Sequence, residues 1–252
     1  MHTIADLHTH TLVSQHAYST LYENIQAARE AGFYALAITD HGPGMPDGAS
    51  SHHFFCMPGL PEIVNGVRLF RGAEVNIMDY SGTVDLDTGT LQRLDFVIAS
   101  YHCECISPGT AAENTAGLLS VIKNPFVDCL GHCGNPAYPI DIPAITSACR
   151  QYGKLIEINA SSFRIRPGSE DICRRIAREC IRQKVHLLIS SDAHFRDNVG
   201  NHEEAIRLLE AVGCPEKLVI NTSKERLLSY FALRHQRIAH EKGGIHAFTS
   251  PD

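Results

Sequence analysis

Short apolar runs and amphipathic stretches alternate along this chain of 252 residues. Thr3 to Leu7 reads as a first strand. From about Leu21 to Ala31 apolar side chains recur at helical spacing, and Gly32 stops the pattern. Tyr34 to Thr39 is apolar throughout, as expected of a strand buried on both faces. Val67 to Val75 is a third strand, with a small hairpin expected over Gly82 to Asp85. Asp95 to Tyr101 is a fourth, followed by a helix around Ala111 to Lys123. Val127 to Gly131 is a fifth, before a helix around Asp141 to Tyr152. Lys154 to Asn159 is a sixth, before a helix around Glu170 to Gln183. Val185 to Ser190 is a seventh, before a helix from about His202 to Val212. Leu227, Leu228, Phe231 and Ile238 suit a final helix from about Lys224, closed by Gly243-Gly244. Residues 245–252 lack periodicity and are expected to form a loose tail. No linker divides the rest, so residues 1–244 read as a single domain.

Seven short strands separated by helices point to an α/β protein with a parallel sheet. An open doubly wound sheet and a closed barrel both satisfy that pattern. The polar residues separate them. Strand one ends at His8, with His10 two residues on. Strand two ends in Asp40-His41, strand three at Glu74, strand four at His102 and strand five at His132. Strand six ends in Glu157-Ile158-Asn159 and strand seven in Ser191-Asp192-Ala193-His194. From His8 the steps to His41, Glu74, His102, His132, Asn159 and Asp192 are 33, 33, 28, 30, 27 and 33 residues, one βα unit each. In a barrel these side chains converge on one mouth at the C-terminal ends of the strands. An open sheet would spread them along an edge. The convergence favours a seven-stranded barrel.

His-x-His on an extended segment places both imidazoles on one face, where they can grip one cation. Asp192-x-His194 repeats the spacing, and His16 lies where the loop after strand one can fold back over the mouth. Seven histidines with Glu74 and Asp192 are too many ligands for one ion. They imply two or three ions sharing a carboxylate.

Composition narrows the setting. There are 15 histidines, and 44% of residues are hydrophobic against 20% charged, ordinary for a folded domain. The net charge of −6 gives no broad basic surface for nucleic acid or an anionic membrane. No apolar run is long enough to span a bilayer, and no signal peptide is expected. Nine scattered cysteines without a CxxC pair read as reduced thiols of a cytoplasmic protein. Cys103 and Cys133, each beside a strand-end histidine, read as packing residues.

The residues match a known pattern. Asp6-Leu7-His8-Thr9-His10-Thr11, His16, Thr39-Asp40-His41-Gly42, Gly72-Ala73-Glu74, His102, His132 and Ser191-Asp192-Ala193-His194 resemble the PHP (polymerase and histidinol phosphatase) domain. His16-Ala17-Tyr18-Ser19-Thr20, Asp40-His41-Gly42-Pro43, Ser51-His52-His53-Phe54, Gly131-His132 with Gly134-Asn135-Pro136, and Ser161-Ser162-Phe163 resemble its YcdX-type phosphatase branch. The likeness spans about residues 1–235. It implies a distorted seven-stranded (β/α)7 TIM-like barrel with a trinuclear metal centre at the C-terminal strand ends. It assigns His8, His10, Glu74 and Asp192 to one ion, and His16, His41 and His194 to a second. Glu74 would bridge to a third ion completed by His102 and His132. Every one of these positions is filled, which argues against a metal-free copy.

Clustered dications suit hydrolysis of phosphate monoesters, with a metal-bridging hydroxide as nucleophile. The implied activity is therefore that of a metal-dependent phosphatase on a small phosphorylated metabolite. Zinc, three ions per chain, suits the histidine-rich set best, with manganese or iron as alternatives. Glu74 and Asp192 are the catalytic carboxylates, and Asp6 and Asp40 are candidates to orient ligand imidazoles. Arg164 and Arg166 after strand six, and Arg196 after strand seven, are candidate phosphate forks. His53 is a candidate to protonate the leaving group, and Gly42 to Gly59 a candidate lid. A phosphodiesterase or 3′-5′ exonuclease-like hydrolase, a non-catalytic metal-binding module, and an amidohydrolase are the competing readings. The last usually bridges its ions with lysine or carboxylate in an eight-stranded frame, and no lysine ends a strand here. Homo-oligomer formation is left open.

Overall fold

Parallel strands form the frame, laid down in the order in which the chain makes them. The computed structural model describes residues 1–246, with side chains to residue 239. Its elements are β1 (Ala5–Asp6), α1 (Leu21–Glu30), β2 (Ala35–Ile38), α2 (Ser51–Cys56), β3 (Ile63–Val64), β4 (Val67–Asn76), α3 (Thr88–Leu91), β5 (Phe96–Ser100) and α4 (Ala111–Lys123). They continue with β6 (Cys129–Leu130), α5 (Ile142–Tyr152), β7 (Leu155–Asn159), α6 (Ser162–Ile165), α7 (Ser169–Gln183), β8 (Leu187–Ser190), α8 (Glu203–Ala211) and α9 (Lys224–His246). Seven strands pair in parallel in the order β1-β2-β4-β5-β6-β7-β8. With helices around them they make a nearly closed, distorted (β/α)7 barrel.

Local chemistry explains the element ends. Thr20 with Glu23, and Thr110 with Glu113, form reciprocal capping boxes at the starts of α1 and α4. Asp141 caps α5, and Gly153 ends it in the left-handed conformation at φ 64°. β2, β7 and β8 are buried along their whole lengths, which is why their sequences show no alternation. The hairpin expected over Gly82 to Asp85 is a single antiparallel bridge from Ile77 to Val84. A hairpin absent from the sequence reading joins β3 to β4 antiparallel. Its turn is Asn65-Gly66, with φ of 52° and 82°, the positive angles that Asn-Gly favours.

The ring closes by side chains as much as by ladder. Between β1 and β8 the backbone contributes the Thr9–Ala193 bridge. Below it, buried Asn221 spans the gap. Its Nδ2 donates to Ala5 O and Ile189 O, both at 2.8 Å, and its Oδ1 accepts from Ile189 N at 3.2 Å. Asp6 serves the same seam, accepting from Ser191 N at 3.2 Å, Ser191 Oγ, and Gly200 N at 2.9 Å.

α9 plugs the N-terminal end of the barrel. Leu227, Tyr230 and Phe231 join Phe70, Phe96, Ile98 and Leu188 in the inner core. Phe231 stacks on Phe70 with ring centres 3.9 Å apart. Buried Arg234 anchors the plug through Nε to Asp128 Oδ2 at 2.7 Å. One end of the barrel is thus filled with hydrocarbon, which leaves the C-terminal strand ends as the open mouth. α9 runs on through Gly243 and Gly244 to His246, past the expected stop. Of the expected tail, residues 247–252 lie outside the described residues. Among the described residues no helix is long and apolar enough to cross a membrane.

Candidate metal centre

Each barrel strand but one delivers a potential ligand to the mouth. His8 and His10 follow β1 on one face, while Thr9 between them turns away and donates to Ala37 O. His41 follows β2, Glu74 lies on β4, His102 follows β5, His132 follows β6, and Asp192 and His194 follow β8. His16 reaches in from the loop after β1. All are buried except His16 and His194, which stay partly open to solvent.

The candidate ligand atoms crowd together, and three overlapping groups, His8–His10–Glu74, His10–His41–His194 and His41–Glu74–His102, could each hold an ion. His8 Nε2 lies 3.2 Å from Glu74 Oε2 and 3.5 Å from Asp192 Oδ1. His10 Nε2 lies 3.5 and 3.2 Å from the same two oxygens. Zinc bonds of about 2.1 Å at tetrahedral angles put ligand atoms about 3.4 Å apart, so four atoms already stand at the edges of such a site. All four are buried without a hydrogen-bond partner, a costly state unless a cation fills the gap. The other carboxylate oxygen faces two further rings. Glu74 Oε1 is 2.9 Å from His132 Nε2 and 3.4 Å from His102 Nε2, and those nitrogens are 3.2 Å apart. Nearer solvent, His16 Nε2 and His194 Nε2 meet at 3.0 Å, with the His41 ring 5.0 Å from that of His16. His41 Nδ1 approaches Glu74 Oε2 at 2.9 Å. The donor set therefore fits cations, with Glu74 at its centre.

Electrostatics agree. Burial opposes ionisation of Glu74, but His8, His102 and His41 outweigh it and hold the carboxyl well below its usual range. Asp192 is held down in the same way against burial, by His8, His10 and His194. Burial would strip His8 of its proton, yet Glu157, Glu74 and Asp192 raise its pKa well above the ordinary value. A proton and a dication thus compete for this ring. Burial, then the charge of Arg166, pushes His132 down to about 4. Burial, then His194 and His41, takes His10 well below its ordinary value.

A ring of partners around the ligands fixes which nitrogen faces inward. Glu157 Oε1 accepts from His8 Nδ1 at 2.6 Å, and Asp47 Oδ2 from His16 Nδ1 at 2.7 Å. Asn76 Oδ1 meets His102 Nδ1 at 2.7 Å, and the Asp192 carbonyl meets His194 Nδ1 at 3.0 Å. Each contact leaves Nε2 with its lone pair toward the centre. Ser100 Oγ donates to Glu74 Oε1 at 2.6 Å. His132 and Asp192 are held at φ of 25° and 55°, conformations unfavourable for residues with a Cβ and typical of sites that need them.

Asp6 and Asp40, expected to orient imidazoles, do other work. Asp6 closes the seam, and Asp40 accepts from Thr11 N, Thr11 Oγ1 and Ser14 Oγ at 2.7–2.8 Å, shaping the loop that carries His16. Glu157, Asp47 and Asn76 take the expected role instead. Glu157 was visible as a strand-end acid, and period-two alternation places it on the face of Asn159. Asp47 and Asn76 carried no sequence signal.

The mouth is a cavity of about 840 Å³ that includes His16, His41, Glu74, His102, His132, Asp192 and His194, with Arg164 and Arg166 on one wall. Arg166 Nη1 donates to Ser162 Oγ at 2.9 Å and stands 3.9 Å from Asp192 Oδ2. Arg164 Nη2 donates to Ser161 Oγ at 3.2 Å. Arg196 is instead paired with Glu30 at 2.6 Å, outside the mouth. His53 lies half-buried on α2 with its ring edge-on to Phe54, and it does not line the mouth. Of the expected lid only Met45, Pro46 and Asp47 reach the cavity. Cys103 lines the wall, while burial raises the Cys133 thiol pKa well above normal. Neither joins a ligand group among the described residues. His186 and His235 are exposed, and the side chains of His240 and His246 lie outside the described residues.

The profile of the PHP domain matches residues 6–161. A probable phosphatase of Acetivibrio thermocellus is 44% identical over 94% of this chain and 99% of its own length. A probable phosphatase of Caldanaerobacter subterraneus subsp. tengcongensis is 47% identical over 93% of each chain. Among solved structures, the histidinol phosphate phosphatase of Lactococcus lactis, complexed with zinc, L-histidinol and phosphate, superposes with a TM-score of 0.62. It has 18% identity over 84% of this chain and 94% of that one, a likeness of fold.

Proposed function

The chain belongs to the PHP domain family, and on that footing we propose that it is a metal-dependent phosphatase acting on a small phosphate monoester. The observation that carries the reading is Glu74, a buried carboxylate whose two oxygens face two different groups of orphaned or mutually opposed imidazoles. Three cations, best zinc, would be held by His8, His10, Glu74 and Asp192, by His16, His41 and His194, and by Glu74, His102 and His132. The likeness to relatives named as probable phosphatases supports the reaction class. When bound, such ions supply charge against a phosphate dianion and acidify a water so that it is nucleophilic near neutral pH.

The residues of the chain do the rest. Glu74 and Asp192 hold the reacting region at fixed geometry. Arg164 and Arg166, on the wall of the mouth, are placed to fork onto phosphate oxygens. Arg166 adds a positive charge beside His132 and Asp192 that makes sense once an anion lies between them. The cavity has the size of a small-molecule site, with room for a leaving group beyond the phosphate. His53 is not needed in this scheme. The same reading takes residues 1–244 as one catalytic domain working in the cytoplasm, without nucleic acid or membrane.

Elemental analysis of the chain and of Glu74→Gln tests it. The wild type should carry about three ions, and the variant should lose at least one together with phosphate release. Fewer than two ions in the wild type, or a fully active Glu74→Gln, sinks the reading.

A further inference from the structure

β7 is the barrel strand that places no side chain among the nine ligands, yet its Glu157 is buried at the centre of the site. Each oxygen of that carboxylate has its own task. Oε1 accepts from His8 Nδ1 and from Ser190 Oγ, both at 2.6 Å. Oε2 accepts from the backbone N–H of His132 at 2.6 Å and from Asn159 Nδ2 at 3.3 Å. The first pair fixes the ring of one ligand. The second pins the backbone of another in its left-handed conformation, φ 25°. His8 and His132 belong to different ion sets, 6.3 Å apart between ring centres.

We infer that Glu157 is a positioning residue that couples two of the three ion sets, those of His8 and of His132, and leaves the His16–His41–His194 set alone. The inference rests on the three-ion reading above. An ionised carboxylate accepts at both ends. An amide in its place accepts at one end only. Whichever way the amide turns, an N–H₂ faces either the His8 side or the His132 N–H, and one ligand loses its support. The third set has its own carboxylate, Asp47 on His16. The two outer acids therefore act on separate ions. Loss of such partners weakens metal binding by roughly 10- to 100-fold.

The test is a zinc titration of the chelator-stripped full chain, read by competition with a chromophoric chelator and by long-range proton–nitrogen spectra of the histidine rings. Wild type, Glu157→Gln and Asp47→Asn are compared, and each stripped protein is melted. Glu157→Gln should weaken binding in the His8 or the His132 set by roughly 10- to 100-fold, with the ring on that side perturbed and those of His16 and His194 as in wild type. Asp47→Asn should do the reverse at one ion, and the double variant should show both losses independently. Wild-type affinity in Glu157→Gln, or an equal loss at all three ions, overturns the inference. If Glu157→Gln does not fold when stripped, Glu157→Asp decides. It keeps the charge but cannot span both partners, so it should weaken binding in one of the same two sets, and an even effect on all three overturns the inference. Fewer than two ions bound by the wild type contradicts the reading of the site itself.

Discussion

Asn221 lies outside the mouth, yet it should govern whether the mouth exists. In Asn221→Ala the seam between β1 and β8 loses three side-chain hydrogen bonds, two donated to Ala5 O and Ile189 O and one accepted from Ile189 N. All three partners belong to buried residues. At about 1–1.5 kcal/mol per bond the loss is roughly 3–5 kcal/mol, a large share of the stability of an ordinary domain. For a chain of this size that lowers Tm by roughly 10 °C. Urea denaturation with an unchanged slope, alongside calorimetry, measures it. Asn221→Asp should be at least as harmful, because the carboxylate keeps the acceptor but cannot donate to the two carbonyls. A loss below about 1 kcal/mol in Asn221→Ala, or a well-tolerated Asn221→Asp, would show that the seam is held by the ladder alone.

Other outcomes follow from single contacts. In Gly131→Ala the new methyl would collide with Ser100 Oγ, the donor to Glu74 Oε1, so zinc affinity should drop about tenfold in a titration while the fold survives. Arg166→Met should raise KM for a monoester by roughly 10-fold or more, as expected for loss of a charged contact of about 1.5–3 kcal/mol; an unchanged KM removes it from phosphate binding. Burial pushes the Lys154 ammonium down to about 7, aided by Arg237, while Nζ donates to Asn124 O and Val127 O. Between that value and the ordinary 10.5 the unfolded chain holds a proton the folded chain lacks. Stability should therefore rise with pH in that window, by at most about 1.4 kcal/mol per pH unit. Denaturation of wild type and Lys154→Met across that range checks it, since the variant should lose that slope.

The frame was legible because parallel strands are buried on both faces. Runs such as Ala35–Ile38 and Leu187–Ser190 are short and buried throughout, and the polar residue that ends each run marks the side facing water or chemistry. The nine candidate ligand positions stood out for the same reason, because they fall at strand ends and in the loop after the first strand. The partners of those ligands were not legible. Asp6, two residues before His8, and Asp40, directly before His41, were natural candidates, but the β1–β8 seam takes up the first and the loop that carries His16 takes up the second. The partners came from other strands and loops, as Glu157, Asn76 and Asp47 did. His53 and Arg196 share the composition of site residues, and only the turn of α2 and the pairing with Glu30 take them away from the mouth. Asn65-Gly66 marks the β3–β4 hairpin, but β3 is only two residues long and shows no strand pattern of its own.

The account depends most on the mouth being a monoesterase that needs its cations. The direct measurement is release of p-nitrophenol from p-nitrophenyl phosphate and from bis-p-nitrophenyl phosphate, by the full chain as zinc-loaded, chelator-stripped and reloaded protein. The account predicts turnover of the monoester alone, lost on stripping and restored by zinc. Turnover of the diester in preference to the monoester, or monoester hydrolysis that survives complete removal of metal, would contradict it.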